Sequence, residues 1–204
     1  MILVPLRLCL RGERNYLHGT DLYLAMLNAT VTAFESEQIS EIRMRFPRPF
    51  TEPLQLELSD FSNDTKSPEW SCVVGGKKRV GRLIPLDHQP PLKRFSFDES
   101  KLDSVSKIEG TTASLLGECG YSPIEYIVFL TKQLHQKTLP ANKGSQWVFS
   151  RLELMHNPAA PEMERMKISL IPALNDQFSR SEIMSNGMKI GDIFFSKIVR
   201  HEKG

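Results

Sequence analysis

The chain has 204 residues, of which 40% are hydrophobic and 25% charged, and its formal net charge is +2. This composition is typical of a globular protein with one core or two small fused ones, and the charge is too small to indicate a nucleic-acid partner. No stretch approaches the roughly 20 apolar residues that a membrane span needs, so we expect no membrane partner. The cysteines Cys9, Cys72 and Cys119 are odd in number and widely spaced. We therefore expect no disulfide framework, no metal site, no cofactor and a reducing cytoplasmic location.

The first half of the chain favours a strand, a helix and four further strands. Residues 6–10 alternate between leucine and other side chains, as in a strand with one buried face, and the early arginines argue against a signal peptide. Thr20 is a suitable N-cap for a helix, with Asp21 in the first turn where the helix dipole favours negative charge. Gly75-Gly76 suits the tight turn of a hairpin. Further strands are predicted at residues 39–46, 54–58, 69–74 and 78–86.

The second half favours the same order of elements. Phe95 and Phe97 mark its first strand, and residues 98–121 are predicted to form a long loop. Ser122 and Glu125 have the spacing of a capping box, with a proline at the first helical position, which makes this the clearest helix start in the chain. Further strands are predicted at residues 147–155, 163–174, 178–184 and 188–199.

Matching positions link the two halves. Thr20 and Ser122 each begin a predicted helix, and Gly76 and Gly187 each lie in a predicted hairpin turn. Such internal repetition predicts an α+β fold of two units, each with one strand, one helix and then four strands. The predicted repeats are residues 1–88 and 92–204, with residues 88–91 as the crossover.

This order of elements resembles the hotdog fold, in which a curled antiparallel sheet wraps one long helix. Residues 41–50, followed by residues 54–58, are similar to the second and third strands of many hotdog proteins. The resemblance implies a tandem, or double, hotdog, in which two such units form a single-chain pseudo-dimer. Fusion of this kind would cover two exposed sheet edges.

A shorter segment, residues 12–18, is similar to a motif of the MaoC-like enoyl-thioester hydratases. That motif runs glycine, aspartate, any residue, asparagine, proline, an aliphatic residue and histidine. Glu13 stands where the family has aspartate, and Tyr16 stands where it has proline. The resemblance implies that Glu13 and His18 form the catalytic acid/base pair and that Asn15 helps to orient it. In the family this pair activates water for addition to a double bond conjugated to a thioester, or catalyses the reverse reaction.

The same residues make chemical sense by themselves. Histidine titrates near about pH 6.5, so His18 can act as an acid or a base at neutral pH. The N–H groups at the helix start, at Gly19 and Thr20, would stabilise negative charge that develops on a thioester carbonyl. Tyr121 occupies the matching position before the second helix and is a further candidate for substrate binding. The alternative is that Glu13 is an ordinary loop charge and that His18 packs against the helix or caps it.

A basic cluster follows the Gly75-Gly76 turn. Lys77, Lys78 and Arg79 could bind the phosphates of coenzyme A or the acidic face of an acyl carrier protein. The alternative is that these side chains are the solvated tip of a hairpin.

The leading hypothesis is therefore a cytoplasmic lyase, a hydratase or dehydratase, that acts on an acyl thioester of coenzyme A or of an acyl carrier protein. A thioesterase is the first alternative, with Glu118 or Glu125 as the carboxylate that activates water. A non-catalytic module that binds an acyl group or a carrier protein is the second. Pairing of two such chains into a homodimer of pseudo-dimers is also open.

Overall fold

In a computed structural model, the described residues are 1–61, 68–86, 91–117, 120–139, 144–159, 165–172 and 177–199. The chain divides into two compact units, and each contains one long helix and a set of antiparallel strands. Unit 1 consists of Met1–Asp98 with Leu154–Asn157, and unit 2 of Glu99–Glu153 with Pro158–Gly204. Most of the predicted crossover, residues 88–90, lies outside the described residues, so the repeat boundary there stays a prediction.

Unit 1 contains seven strands and one long helix. In chain order these are β1 (Ile2–Pro5), β2 (Leu10–Arg11), α1 (Gly19–Phe34), β3 (Ile39–Arg45), β4 (Leu54–Asp60), β5 (Trp70–Val74), β6 (Lys77–Pro85) and β7 (Arg94–Phe95). Its main sheet is antiparallel, with the strand order β1-β4-β6-β5-β3, whereas β2 and β7 form a separate parallel pair.

The core of unit 1 lies between α1 and the sheet. The predicted alternation in β4 is confirmed, because Leu54, Leu56 and Leu58 are all fully buried. Tyr23 and Met26 on α1 are buried as well, and α1 contacts β1 and β4. Burial of each such side chain contributes about 1.5–3 kcal/mol to folding, so this face of α1 holds the helix on the sheet.

The hairpin predicted at Gly75-Gly76 is confirmed as the turn between β5 and β6. Both glycines have positive φ angles, +55° and +76°, which glycine adopts without strain. The strand predicted over residues 6–10 is wrong, because β1 spans Ile2–Pro5 and only Leu10 of the predicted residues lies in a strand, β2. The N–H of Leu6 still donates to the carbonyl of Leu54 at 2.9 Å, but the pairing ends there. After Leu6 the ladder would meet Pro53, which has no N–H group to donate.

Unit 2 contains a short helix, a long helix and six strands. In chain order these are α2 (Ser100–Asp103), β8 (Ser106–Glu109), β9 (Thr112–Leu115), α3 (Pro123–Thr138), β10 (Ser145–His156), β11 (Met166–Ile171), β12 (Phe178–Ser185) and β13 (Met188–Val199). The strand order is β10-β13-β12-β11-β9-β8, and the last residues of β10 belong to unit 1.

The predicted loop over residues 98–121 is wrong, because α2, β8 and β9 lie within it. β8 and β9 have four residues each, which is too short for a period of two to stand out in the sequence. The strand predicted around Phe95 and Phe97 is reduced to β7, which pairs with β2 and belongs to unit 1.

The rest of unit 2 follows the prediction closely. α3 begins with the predicted capping box and packs against β8, β9 and β11. β13 has the predicted bounds, and Asn186 and Gly187 form the predicted turn before it, with φ angles of +50° and +78°. Residues 163, 164, 173 and 174 at the ends of one predicted strand lie outside the described residues. Within the part of the chain that is described, no helix is long and apolar enough to cross a membrane.

Candidate functional site at the start of α1

The predicted site residue His18 is the N-cap of α1. Its backbone is extended, with φ −73° and ψ 138°, and its carbonyl accepts hydrogen bonds of 3.1 Å from the N–H groups of Asp21 and Leu22. The helix therefore begins before Thr20, and the prediction that Thr20 is the N-cap is wrong. The Thr20 hydroxyl instead lies 2.7 Å from Nδ1 of His18, and this hydrogen bond fixes the imidazole at the helix start.

Two N–H groups at this helix start remain open. The His18 side chain makes no capping hydrogen bond, and the N–H groups of Gly19 and Thr20 donate to no described residue. N–H groups in the first turn carry the positive end of the helix dipole. The structure thus brings three predicted site residues, His18, Gly19 and Thr20, to one place where an imidazole lies beside two hydrogen-bond donors.

Glu13 and Asn15 lie on the turn that precedes His18. The N–H of Arg14 donates to the carbonyl of Arg11 at 3.1 Å, which closes a tight turn with Gly12 at a φ of +52°. Glu13 and Asn15 are both exposed, and neither makes a hydrogen bond or ion pair with a described residue. The structure therefore does not join Glu13 to His18 by a hydrogen bond, and their partnership stays a prediction.

An ion pair at the same helix start was not predicted. The guanidinium of Arg11 binds the carboxylate of Asp21 through two hydrogen bonds, one of them 2.7 Å long, and the two side chains are only 5% and 16% exposed. The guanidinium also lies 4.4 Å from the centre of the Phe97 ring and 5.7 Å from that of Phe95. Asp21 is thus neutralised by Arg11 and tied to the segment before the helix. Nothing in the sequence pattern links residues so far apart on different elements.

Tyr23, on the buried face of α1, forms a polar contact in the core. Its hydroxyl donates to Oδ1 of Asn157 at 2.8 Å, and its ring meets Trp70 edge-on at a centroid distance of 5.9 Å. Burial raises the pKa of Tyr23 well above its ordinary value and raises the pKa of the Cys72 thiol to about 12. Both groups are therefore protonated at neutral pH, and Cys72 is no candidate for a nucleophile.

The basic cluster after the Gly75-Gly76 turn is only partly available. Lys77 and Lys78 are exposed, although the Lys78 ammonium lies 4.0 Å from the centre of the Phe61 ring. Arg79 is half-buried, forms an ion pair with Asp60 and lies 4.3 Å from the Phe34 ring centre. Arg79 therefore has structural partners within unit 1, and the two lysines remain the accessible cations of the predicted phosphate site.

The predicted site residues of unit 2 belong to the start of α3, which is closed by a capping box. Tyr121 is half-buried and meets Tyr126 edge-on, with ring centroids 6.4 Å apart. The carboxylate of Glu125 accepts a hydrogen bond of 2.9 Å from the N–H of Ser122, as the capping box requires, and a second of 2.7 Å from the Ser122 hydroxyl. Glu125 is thus engaged in capping and is a poor candidate for activating water. Glu118, the other carboxylate proposed for a thioesterase, lies outside the described residues.

A histidine in the core of unit 2 was also missed. His135 on α3 is 1% exposed, its Nδ1 donates to the carbonyl of Thr131, and its Nε2 accepts from the Ser179 hydroxyl. Its ring stacks on Phe195 at 4.8 Å and lies 5.2 Å from Trp147. Burial lowers the pKa of His135, so the neutral imidazole is the stable form. We interpret it as a core histidine, because both it and Ser179 are buried.

No group of His, Cys, Asp and Glu side chains within the described ranges could hold a metal ion. The sequence matches no protein-family model and no curated protein.

Several solved structures are similar to the chain. A TesB protein from Mycobacterium avium subs paratuberculosis is 11% identical, with 96% of this chain and 91% of that one covered and a TM-score of 0.49. An acyl-CoA thioesterase II from Mycobacterium marinum is 14% identical, with 95% of each chain covered and a TM-score of 0.46. The dehydratase domain of PpsC from Mycobacterium tuberculosis, in complex with C12:1-CoA, is 13% identical, with 90% and 85% covered and a TM-score of 0.39.

Proposed function

We propose that this protein acts on an acyl thioester of coenzyme A or of an acyl carrier protein, and that it adds water to, or removes water from, the acyl chain. One observation carries the proposal. At the start of α1, the imidazole of His18, fixed by Thr20, lies beside the N–H groups of Gly19 and Thr20, which have no acceptor within the described ranges.

These groups have the roles that the reaction needs. The thioester carbonyl would accept hydrogen bonds from the N–H groups of Gly19 and Thr20, which stabilise the negative charge on its oxygen as water adds to the conjugated double bond. His18 would take the proton from the water that attacks the β-carbon and would return it to the α-carbon of the resulting enolate. In the reverse direction it would remove the α proton and protonate the departing hydroxyl. Because the N–H groups are backbone donors at fixed positions, little reorganisation accompanies the reaction.

Glu13 and Asn15 belong to the same proposal. Both are exposed on the turn before His18, so they are free to approach the imidazole when a substrate covers the helix start. Catalytic hydrogen bonds often tighten only in the substrate complex. Glu13 would then hold the tautomer of His18, and Asn15 would orient the pair.

The proposal also includes surface residues that would bind the substrate. Lys77 and Lys78 are exposed cations that suit the phosphates of coenzyme A or an acidic carrier protein, with Arg79 behind them and Tyr121 at the start of α3. We further propose that residues 1–88 and 92–204 are two hotdog repeats of a cytoplasmic protein. The common order of one helix and then four strands, α1 with β3–β6 and α3 with β10–β13, supports this.

A coupled assay tests the function. Purified protein is given enoyl-, 3-hydroxyacyl- and saturated acyl-coenzyme A substrates, and absorbance of the conjugated thioester and release of free thiol are followed together. We expect gain or loss of the conjugated band, and kcat about 10²- to 10⁴-fold lower in His18→Ala. His156→Ala, which changes a half-buried histidine at the end of β10, is the matched control and should keep full activity.

The other outcomes are distinct. Thiol release that depends on His18 would identify a thioesterase. An active enzyme that His18→Ala leaves unchanged would show that this helix start is not the site. A folded protein that is silent with coenzyme A substrates and with the same acyl groups on a carrier protein would identify a binding module.

A further inference from the structure

A short segment from the end of unit 1 holds the turn that carries Glu13 and Asn15. β7 runs parallel to β2, and the N–H groups of Leu10 and Gly12 donate to the carbonyls of Lys93 and Phe95, at 2.8 and 2.9 Å. We refer to residues 93–97 as the strap. Through this ladder the strap fixes the backbone on the N-terminal side of the turn.

Arg94 of the strap binds the turn itself. Its Nη1 donates to the carbonyl of Arg14 at 2.8 Å and also to the carbonyl of Gly12. One guanidinium thus joins two carbonyls of the same tight turn, and both bonds are strengthened by its positive charge. Because Gly12 has a φ of +52° and a glycine backbone is permissive, the contact from Arg94 adds to the internal hydrogen bond of Arg14 with Arg11 in limiting the conformations of the turn.

The strap also reaches the helix start through Arg11. The ring of Phe97 lies under the Arg11 guanidinium, and Arg11 binds Asp21 in the first turn of α1. The two ends of the segment that contains His18 are therefore joined by the ion pair of Arg11 and Asp21, and Arg11 contacts the strap.

We propose that Arg94 is a positioning residue for the His18 site, acting through the carbonyls of Gly12 and Arg14. The proposal rests on the proposed function, because it explains how the same site keeps its geometry. Removal of the guanidinium leaves α1 in place but frees the turn that carries Glu13 and leads through Asn15 to His18. A displacement of about 1 Å in a catalytic group can lower the rate by about 100-fold.

The test uses three variants of the full chain. Arg94→Ala removes both hydrogen bonds, Arg94→Lys keeps a cation that can bind one carbonyl, and Arg165→Ala removes an exposed arginine of unit 2 as the matched control. We measure amide hydrogen exchange, the nuclear magnetic resonance signals of the His18 ring, and kcat and KM on whichever thioester the wild type converts.

In Arg94→Ala we expect faster exchange at the N–H groups of Leu10 and Gly12, with unchanged exchange in α3, and a shifted His18 ring signal. We expect kcat about 10- to 100-fold lower with KM within about twofold, and partial recovery in Arg94→Lys. A loss caused only by unfolding would instead speed exchange in α3 and leave the kinetics of the folded fraction unchanged.

Two results would overturn the role of Arg94. One is exchange and His18 signals in Arg94→Ala that equal those of Arg165→Ala. The other is an active wild type whose kcat survives Arg94→Ala. If the wild type converts no thioester, the proposed function fails, while the exchange and His18 signals still decide whether Arg94 positions the turn.

Discussion

The two long helices begin in opposite ways. α3 is closed by its own sequence, since the hydroxyl of Ser122 and the carboxylate of Glu125 form a capping box and Pro123 needs no acceptor. α1 begins at a histidine whose side chain does not cap, and its first carboxylate, Asp21, is bound by Arg11. Each helix has 16 residues, so the difference lies in how the start is closed and not in the length.

The difference indicates which of the two helix starts is the candidate binding site. A capping box occupies part of a helix start with the chain's own side chains, whereas an uncapped start leaves donors to which an anionic group or a developing negative charge can bind. At α1, the carboxylate that would compete for these donors is held by Arg11. The open start of α1 is therefore the better candidate for a site, and the closed start of α3 is the structural counterpart.

The largest effect on stability should come from the ion pair behind the open start. Arg11→Met leaves the partly buried carboxylate of Asp21 without this cation, and we expect the free energy of unfolding to fall by about 3 kcal/mol. The double variant Arg11→Met with Asp21→Leu should recover most of this loss, because it removes both charges. Urea denaturation measures the cycle. A single-variant loss below about 1 kcal/mol would mean that the pair is weak, as pairs on the surface are.

The stability of the protein should decrease at acidic pH because of His135, which lies within α3. Its pKa is lowered in the folded protein, so below the unfolded pKa of about 6.5 the unfolded state binds the proton more readily, and stability falls as pH falls. The loss from this residue is at most about 1.4 kcal/mol for one pH unit below 6.5. Urea denaturation at pH 7.5 and 5.5 should show a smaller pH dependence in His135→Gln. An equal dependence in both proteins would contradict the assignment.

Removal of the capping box should distinguish the two helix starts directly. Ser122→Ala should lower the free energy of unfolding by about 1 kcal/mol, because the N–H of Glu125 loses the hydroxyl that caps it and the Glu125 carboxylate loses one of its hydrogen bonds. His18→Ala in a Thr20→Val background, where the hydroxyl that binds the His18 ring is absent, should change it by no more than about 0.5 kcal/mol, since the His18 side chain caps nothing. Thermal and urea denaturation give both values. Equal losses at the two positions would remove the distinction.

Replacing His18 by a residue that caps the helix should give the smallest effect on stability, a gain, and should abolish activity. His18→Asp places a carboxylate at the N-cap, where it can accept from the N–H of Thr20, and we expect a gain of about 0.5 kcal/mol. The same change abolishes the proposed catalysis, because the imidazole is lost and the donors are occupied. Ser122→Asp, at a start that is already capped, is the control and should give no gain. A His18→Asp protein that stays active would contradict the proposal.

Local signals made much of the fold predictable. The start of α3 needs only Ser122, Pro123 and Glu125, and the turns at Gly75-Gly76 and Asn186-Gly187 need only two residues each. All of these contacts lie within four residues along the chain. Their energies do not depend on the rest of the fold, so the sequence pattern alone indicates them.

The site depends on contacts that no local pattern contains. The bonds from Arg94 reach the turn at Gly12 across most of unit 1, and the pairing of Arg11 with Asp21 joins two different elements. The sequence predicts the start of α1 two residues late, because threonine is a common N-cap and histidine is not. In the structure the hydroxyl of Thr20 binds the His18 ring instead. His18, Gly19 and Thr20 were nevertheless found together, because they are neighbours in the sequence.

The most direct measurement is a titration of the amide signals of the labelled protein with a coenzyme A analogue in which a ketone replaces the thioester. Such an analogue presents the carbonyl but cannot lose its thiol. We predict that the largest shifts occur at the N–H groups of Gly19 and Thr20 and are lost in His18→Asp. Shifts centred on Ile124, in the first turn of α3, or shifts that leave the first turn of α1 unchanged, would contradict the claim that the open helix start is the binding site.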